Sequence, residues 1–194
     1  MLRLEEIINS IFNSKTYLIQ SEQSYEIYLI DCGDIDSVLK WCRENNKVIK
    51  AAFITHSHFD HIYGLNELVF NFPNCVVYVS QENKEALFSD KLNFSRYHEI
   101  PFVFVGDKVS TLKDGDKIEL WQGHILNVIA TPGHDKGCLC YQVGNYLFTG
   151  DSYIPGIKTV TTLRGGSKED NKRSLAKIHS LLSCYTVVCA GHAT

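Results

Sequence analysis

The sequence predicts a single domain of the α/β class, with strands and helices mixed along its length. Three observations carry this. The chain has 194 residues, 44% of them hydrophobic and 21% charged, the balance of a globular domain with a sizeable core. Short apolar runs of strand character alternate with stretches whose apolar residues recur at helical spacing. No repeat, low-complexity segment or linker divides the chain, so residues 1–194 read as one unit.

Taken in order, apolar positions at Leu4, Ile7, Ile8, Ile11 and Phe12 suggest by spacing alone a short helix. Thr16–Ile19 and Tyr25–Ile30 read as a hairpin. Asp34 or Asp36 is placed to cap a helix running to about Asn46, with Ile35, Val38, Leu39 and Cys42 as its apolar stripe. Residues 51–55 form a short buried strand. After a polar loop, a helix facing inward through Leu65, Leu68, Val69 and Phe72 stops before Pro73. Val76–Ser80 reads as a strand, Gln81–Phe88 as a helix and Phe102–Val105 as a strand. Beyond Val109 the pattern turns to short strands, Lys117–Trp121 and Ile125–Ala130 following the turn Asp114-Gly115-Asp116. Cys138–Val143 and Tyr146–Thr149 pair around Gly144-Asn145, which fits a two-residue hairpin. Gly156–Ser167 is an irregular loop. A helix over Glu169–Leu182 turns Leu175, Ile178, Leu181 and Leu182 inward, and Thr186–Ala190 is the last strand.

Several function classes are disfavoured. A formal charge of −3 offers no general basic surface, so nucleic acid is not an expected partner. No apolar run is long enough to span a bilayer, and the acids of Leu4-Glu5-Glu6 interrupt what a signal peptide would need as an apolar core. A cytoplasmic protein is expected. Seven cysteines without a C-x-x-C pair read as buried free thiols in a reducing compartment.

The chemistry concentrates in Thr55-His56-Ser57-His58-Phe59-Asp60-His61. Three imidazoles and a carboxylate fall within six residues, on a loop between an apolar strand and an apolar-periodic run. A loop lets side chains converge on a point, and such donors suit a divalent metal such as zinc. Three further strand ends carry similar signals: Thr131-Pro132-Gly133-His134, Gly150-Asp151 and Gly191-His192. Each has a glycine immediately before the polar residue, which allows a sharp turn and a close backbone approach.

The set His56-x-His58-x-Asp60-His61, Thr131-Pro-Gly-His134, Phe148-Thr-Gly-Asp151 and Gly191-His192 resembles the metallo-β-lactamase-fold hydrolase superfamily. Leu29-Ile-Asp31-Cys-Gly33 fits the same pattern, and the match runs from about residue 15 to 192. Within the superfamily it looks closest to the glyoxalase II-like branch, without the helical domain that follows the last histidine there. The resemblance implies a four-layer αββα sandwich with the site at one edge between two sheets. It also implies a first strand over residues 2–8 in place of the helix, and that reading is preferred. One metal ion would be held by His56, His58 and His134, a second by Asp60, His61 and His192, with Asp151 between them. Two divalent ions are therefore expected, zinc first, with iron or manganese as alternatives.

The expected reaction is hydrolysis of a thioester, ester or lactone in a small-molecule substrate, with Asp60 and Asp151 as catalytic groups besides ligands. Tyr153 is a candidate donor to the oxyanion, with packing as its other and favoured reading. A mono-iron persulfide dioxygenase and a phosphodiesterase or ribonuclease of the same superfamily are the alternatives. Asp31 reads either as the acceptor that orients a ligand imidazole or as a turn-former. His98, His124 and His179 read as surface or turn residues, Lys136 and Arg164 as solvated charges.

Overall fold

Short runs with two apolar faces have to be covered on both sides, and this chain does so by stacking two sheets between helices. The computed structural model describes residues 2–193. The first sheet holds β1 (Leu2–Ile8), β2 (Lys15–Ser21), β3 (Glu26–Ile30), β4 (Val48–Phe53), β5 (Val76–Ser80) and β6 (Val109–Leu112), in that spatial order. Its first three strands pair antiparallel and the remainder parallel. The second sheet has the order β11 (Val187–Ala190), β10 (Tyr146–Gly150), β9 (Leu139–Val143), β8 (His124–Ala130), β7 (Lys117–Trp121), antiparallel except for β10 with β11.

Three apolar clusters define four layers. Between the sheets, Tyr17, Ile19, Tyr28 and Phe53 meet Leu126, Val128, Tyr141 and Phe148. On the outer face of the first sheet, Leu18, Leu29 and Ala52 pack with α1 (Ile35–Asn45), α2 (Leu65–Asn71) and α3 (Lys84–Leu87) through Val38, Leu65, Leu68 and Leu87. On the outer face of the second, Ile129, Cys140 and Leu147 receive Ile178 of α4 (Lys168–Leu181). The architecture is the αββα sandwich.

Most expected elements are present, and the differences have physical causes. Residues 2–8 form β1, as the resemblance implied; seven consecutive residues pair with β2, which helical spacing did not anticipate. Asp34 occupies the cap position of α1 but makes no capping bond. Its carboxylate accepts instead from Ser10 N and Oγ (2.7 and 2.8 Å) and from the Tyr63 hydroxyl. The helix expected over 81–88 is one turn long. No strand forms at 102–105, although Phe102 and Phe104 are buried and Val103 and Val105 exposed in strand-like alternation. Side chains satisfy much of that backbone: Ser95 Oγ accepts from Phe102 N, Asn93 Nδ2 donates to Phe102 O, and Asn66 bridges Val103 O and Val105 N. Six of the seven cysteines are buried free thiols, and Cys184 is exposed.

Candidate metal centre

Five strands deliver polar residues from their C-terminal ends to one edge of the sandwich. Asp31 follows β3, the His56–His61 loop follows β4, His134 follows β8, Asp151 follows β10 and His192 follows β11. The 56–61 loop folds onto itself in a single 3₁₀ turn over Phe59–His61, all three residues buried. Hydrogen bonds stitch the two sheets together at this edge: Leu139 N to Thr55 O (2.8 Å), Tyr141 OH to Ile54 O (2.7 Å), Lys15 N to Gly191 O (2.7 Å). Close approach makes glycine necessary at two turns. A Cβ at Gly191 would lie 2.2 Å from Asp151 Oδ1, and one at Gly150, where φ is +49°, 2.6 Å from Thr55 Oγ1.

The structure brings the seven candidate ligands together. His56, His58 and His134 each offer a ligand atom within 4.8 Å of the others; so do Asp60, His61 and His192, and so do His56, His61 and Asp151. His134 Nε2 lies 3.0 Å from His58 Nδ1, and His61 Nε2 lies 3.3 Å from His192 Nε2. Asp151 stands between the groups, its oxygens 3.5 Å from His134 Nε2, 3.5 Å from His61 Nε2 and 3.2 Å from His192 Nε2. Asp60 Oδ2 lies 3.2 Å from His61 Nε2 and 3.3 Å from His192 Nε2.

The far side of most rings is fixed by an acceptor. His61 Nδ1–H donates to Asp31 Oδ2 (2.9 Å), His134 Nδ1–H to Val160 O (2.8 Å) and His192 Nδ1–H to Phe12 O (2.9 Å). A carboxylate or carbonyl accepts only, so in the neutral rings each Nε2 is left as a lone pair aimed at the centre. His56 Nδ1 sits 3.1 Å from Thr55 Oγ1, whose hydroxyl donates to Asp31 (2.8 Å). Asp31 also accepts from Thr55 N (2.7 Å) and is buried, so it orients His61 and the loop strand besides turning the chain at φ +58°. Lone pairs and carboxylate oxygens crowd one another at 3.2–3.5 Å, and His56 Nε2 and Asp151 Oδ1 are buried without a hydrogen-bond partner. Such an acceptor-rich cluster is balanced by cations, and the residues present fit divalent metal ions.

The electrostatics without ions follow from the same crowding. Burial pushes the His56 imidazole far below its ordinary 6.5, and burial with His134 alongside pushes His58 down to about 4. Burial works the same way on His61, but Asp60, Asp151 and Asp31 outweigh it and lift its pKa well above 6.5. His192 is also raised, by Asp151 against burial. Burial would raise the carboxyls of Asp60 and Asp151, yet His61 and His192 hold both below the usual range.

The centre opens into a cavity of about 410 Å³ whose walls include Phe12, Phe94, Tyr97, His98 and Leu163. Phe12 and Phe94 both have left-handed backbones, φ +55° and +67°. For a bulky side chain that costs on the order of 1–3 kcal/mol each, and both serve the centre. Phe12 supplies the carbonyl that orients His192, and the Phe94 ring packs edge-on to His58 at 5.0 Å. Neither role is visible in sequence, since backbone carbonyls carry no signature and positive φ at phenylalanine is rare. His98, expected as a surface or turn residue, lies in a bend and is half-buried, its ring tilted against Phe59 (4.7 Å) and lining this cavity. Tyr153 is not brought to the centre: its ring packs edge-on to His179 of α4 at 5.3 Å, beside the Ile129–Ile178 cluster. Lys136 and Arg164 are exposed.

A two-sheet sandwich flanked by helices thus carries five histidines and two aspartates converging at one edge, the arrangement of a metal centre. The metallo-beta-lactamase superfamily profile matches residues 11–192, and the chain belongs to that superfamily. Among solved structures, the BLEG-1 B3 metallo-beta-lactamase is similar at a TM-score of 0.91 and 25% identity, covering 99% of this chain and 92% of that one. TTHA1623, solved in a di-iron-bound form, aligns at 0.84 and 23% identity over 98% of this chain and 92% of its own. ETHE1 from Myxococcus xanthus aligns at 0.75 and 24% identity over 100% and 76%.

Proposed function

We propose that this chain is a dinuclear metallo-hydrolase of thioesters, esters or lactones, working as a single domain over residues 1–194. The observation that carries the reading is the convergence of His56, His58 and His134 in one donor group and Asp60, His61 and His192 in another, with Asp151 between them. Zinc suits this imidazole and carboxylate set, and iron or manganese is the alternative. Bound there, two such ions supply a water acidified to near neutral pH and polarise the scissile carbonyl. The chain's own groups do the rest. Asp31, Val160 O and Phe12 O hold three imidazoles with their Nε2 atoms inward. Asp60 is anchored from behind, its backbone carbonyl accepting from Ser14 Oγ (2.7 Å), and its carboxylate faces the cavity where it can orient the nucleophile. Phe12, Phe94 and Leu163 line the cavity beside the centre with apolar side chains.

Other activities fit less well. A mono-iron dioxygenase has no use for the second group of Asp60, His61 and His192. A nuclease requires cations for phosphate, and among the described residues lining the cavity there is no lysine or arginine. The expected compartment is the cytoplasm, in keeping with the buried free thiols; no helix among the described residues is long and apolar enough to cross a membrane.

The test is a hydrolysis panel of thioesters, esters, lactones, β-lactams and phosphodiesters with metal-loaded protein, with oxygen uptake on persulfides run in parallel. Hydrolysis of carbonyl substrates that is lost in His58→Ala and Asp60→Asn, while both variants keep their fold, is the expected result. Oxygen uptake without hydrolysis would refute the proposal.

A further inference from the structure

Beside the centre lies a second, larger cavity of about 880 Å³, within the size range of small-molecule sites. The two share Phe12, Phe59 and His98 as a common wall. These three rings form a continuous row of contacts, Phe12 edge-on to His98 at 5.4 Å and His98 tilted on Phe59 at 4.7 Å. Beyond them the walls include Ile11, Ile100 and Val103.

Three observations say what such a cavity would hold. It begins at the wall of the reacting centre, so a ligand bound at the centre has only the row of rings to cross. Its lining is mostly apolar while several of its side chains face water: Phe12 is 62% exposed and Ile100 78%, a clustering that marks a binding groove more than ordinary surface. Among the described residues that line it, Glu99 is the one acidic group and no lysine or arginine is present. A carboxylate or phosphate on the ligand would therefore have no counter-ion. Three of its polar residues are committed elsewhere: Asn66 bonds Val103 O and Val105 N, and Tyr63 OH and Ser10 both donate to Asp34.

We propose that this cavity receives an uncharged apolar arm of the substrate whose scissile carbonyl sits at the histidine and aspartate centre. The proposal rests on the hydrolase reading and narrows its substrate class to thioesters, esters or lactones that carry a medium-length alkyl or acyl chain. The Phe12–His98–Phe59 row is the threshold the chain passes over, and Ile100 and Val103 are specificity-determining positions. Tripeptide-sized anionic arms are excluded by the missing cations.

The test compares thioesters with acyl chains from acetyl to decanoyl on metal-loaded protein, then a matched series lengthened on the thiol side. In at least one series kcat/KM rises roughly threefold per added methylene, the discrimination that burying one such group supplies. Ile100→Gln and Val103→Trp, at exposed positions that leave the core intact, lower the ratio of long-chain to acetyl kcat/KM by roughly tenfold. Equilibrium binding of decanoate against acetate reads the cavity without turnover: decanoate binds tighter, and both substitutions narrow the difference. Hydrolysis indifferent to chain length in both series overturns the inference and leaves the hydrolase reading standing. Should no thioester be hydrolysed, the hydrolase reading fails, and decanoate binding no tighter than acetate overturns the cavity assignment as well.

Discussion

At the scale of single residues, the site depends on groups that never touch substrate. Asp31 is the clearest. It accepts from His61 Nδ1, from Thr55 N and from Thr55 Oγ1, and Thr55 Oγ1 in turn touches His56. One buried carboxylate thus sets two imidazoles in different donor groups. Replacing Asp31 with Asn keeps the volume but removes the charge, and metal affinity should fall by roughly 10–100-fold. Competition with a chelator, with circular dichroism to confirm the fold, measures this; unchanged affinity would mean that Asp31 only turns the chain. The seven candidate ligands were legible in the sequence because each sits at a strand end in a compact motif or directly after a glycine. Their supporting acceptors Val160 O and Phe12 O were not, because any residue offers a carbonyl and only the fold decides which one points inward. Tyr153 misled for a related reason: proximity to Asp151 in sequence says nothing of direction, and its ring faces α4.

At the scale of elements, the turns after β10 and β11 carry the geometry. These two strands run parallel, and their ends bring Asp151 and His192 side by side. The spacing leaves no room for a Cβ at residue 191, which would lie 2.2 Å from Asp151 Oδ1. Gly191→Ala should therefore displace Asp151 and weaken metal binding by at least tenfold. It should also lower stability by about 1–3 kcal/mol, the usual cost of overpacking. Chelator competition and thermal melts read the two effects separately, and native metal affinity in Gly191→Ala would rule out the close approach. Strand and helix periodicity located most elements, including the 144–145 hairpin and α4. It failed at 102–105, where alternating burial imitates a strand but the backbone is satisfied by Ser95, Asn93 and Asn66 side chains. It failed also at 2–8, whose spacing reads as helix until the partner strand β2 is counted.

At the scale of the whole molecule, the sandwich holds opposed charges and lone pairs at one edge, so its stability depends on pH and on metal together. Without metal, His61 and His192 have raised pKa values in the folded state. Their contribution is complete below 6.5 and is lost as pH climbs through the raised values. His56 and His58 are lowered, so theirs is complete above 6.5 and is lost as pH falls, for His58 toward about 4. The metal-free protein should accordingly be most stable near pH 6.5. Metal takes the place of the protons on His61 and His192, so the loaded protein escapes the loss on the alkaline side. The gap in Tm between loaded and metal-free protein should widen as pH rises above 6.5. Paired thermal melts across that range check the sign; a gap that narrows would contradict the charge arrangement described.

Whether two ions at one shared centre make this chain a hydrolase is decided by titrating zinc into metal-free protein. Bound metal and thioester hydrolysis are followed in the same samples. Activity should be absent without metal and reach its plateau at about two ions per chain, the stoichiometry a bridged pair requires. Full activity in metal-free protein, or a plateau at one ion per chain, would contradict the dinuclear reading.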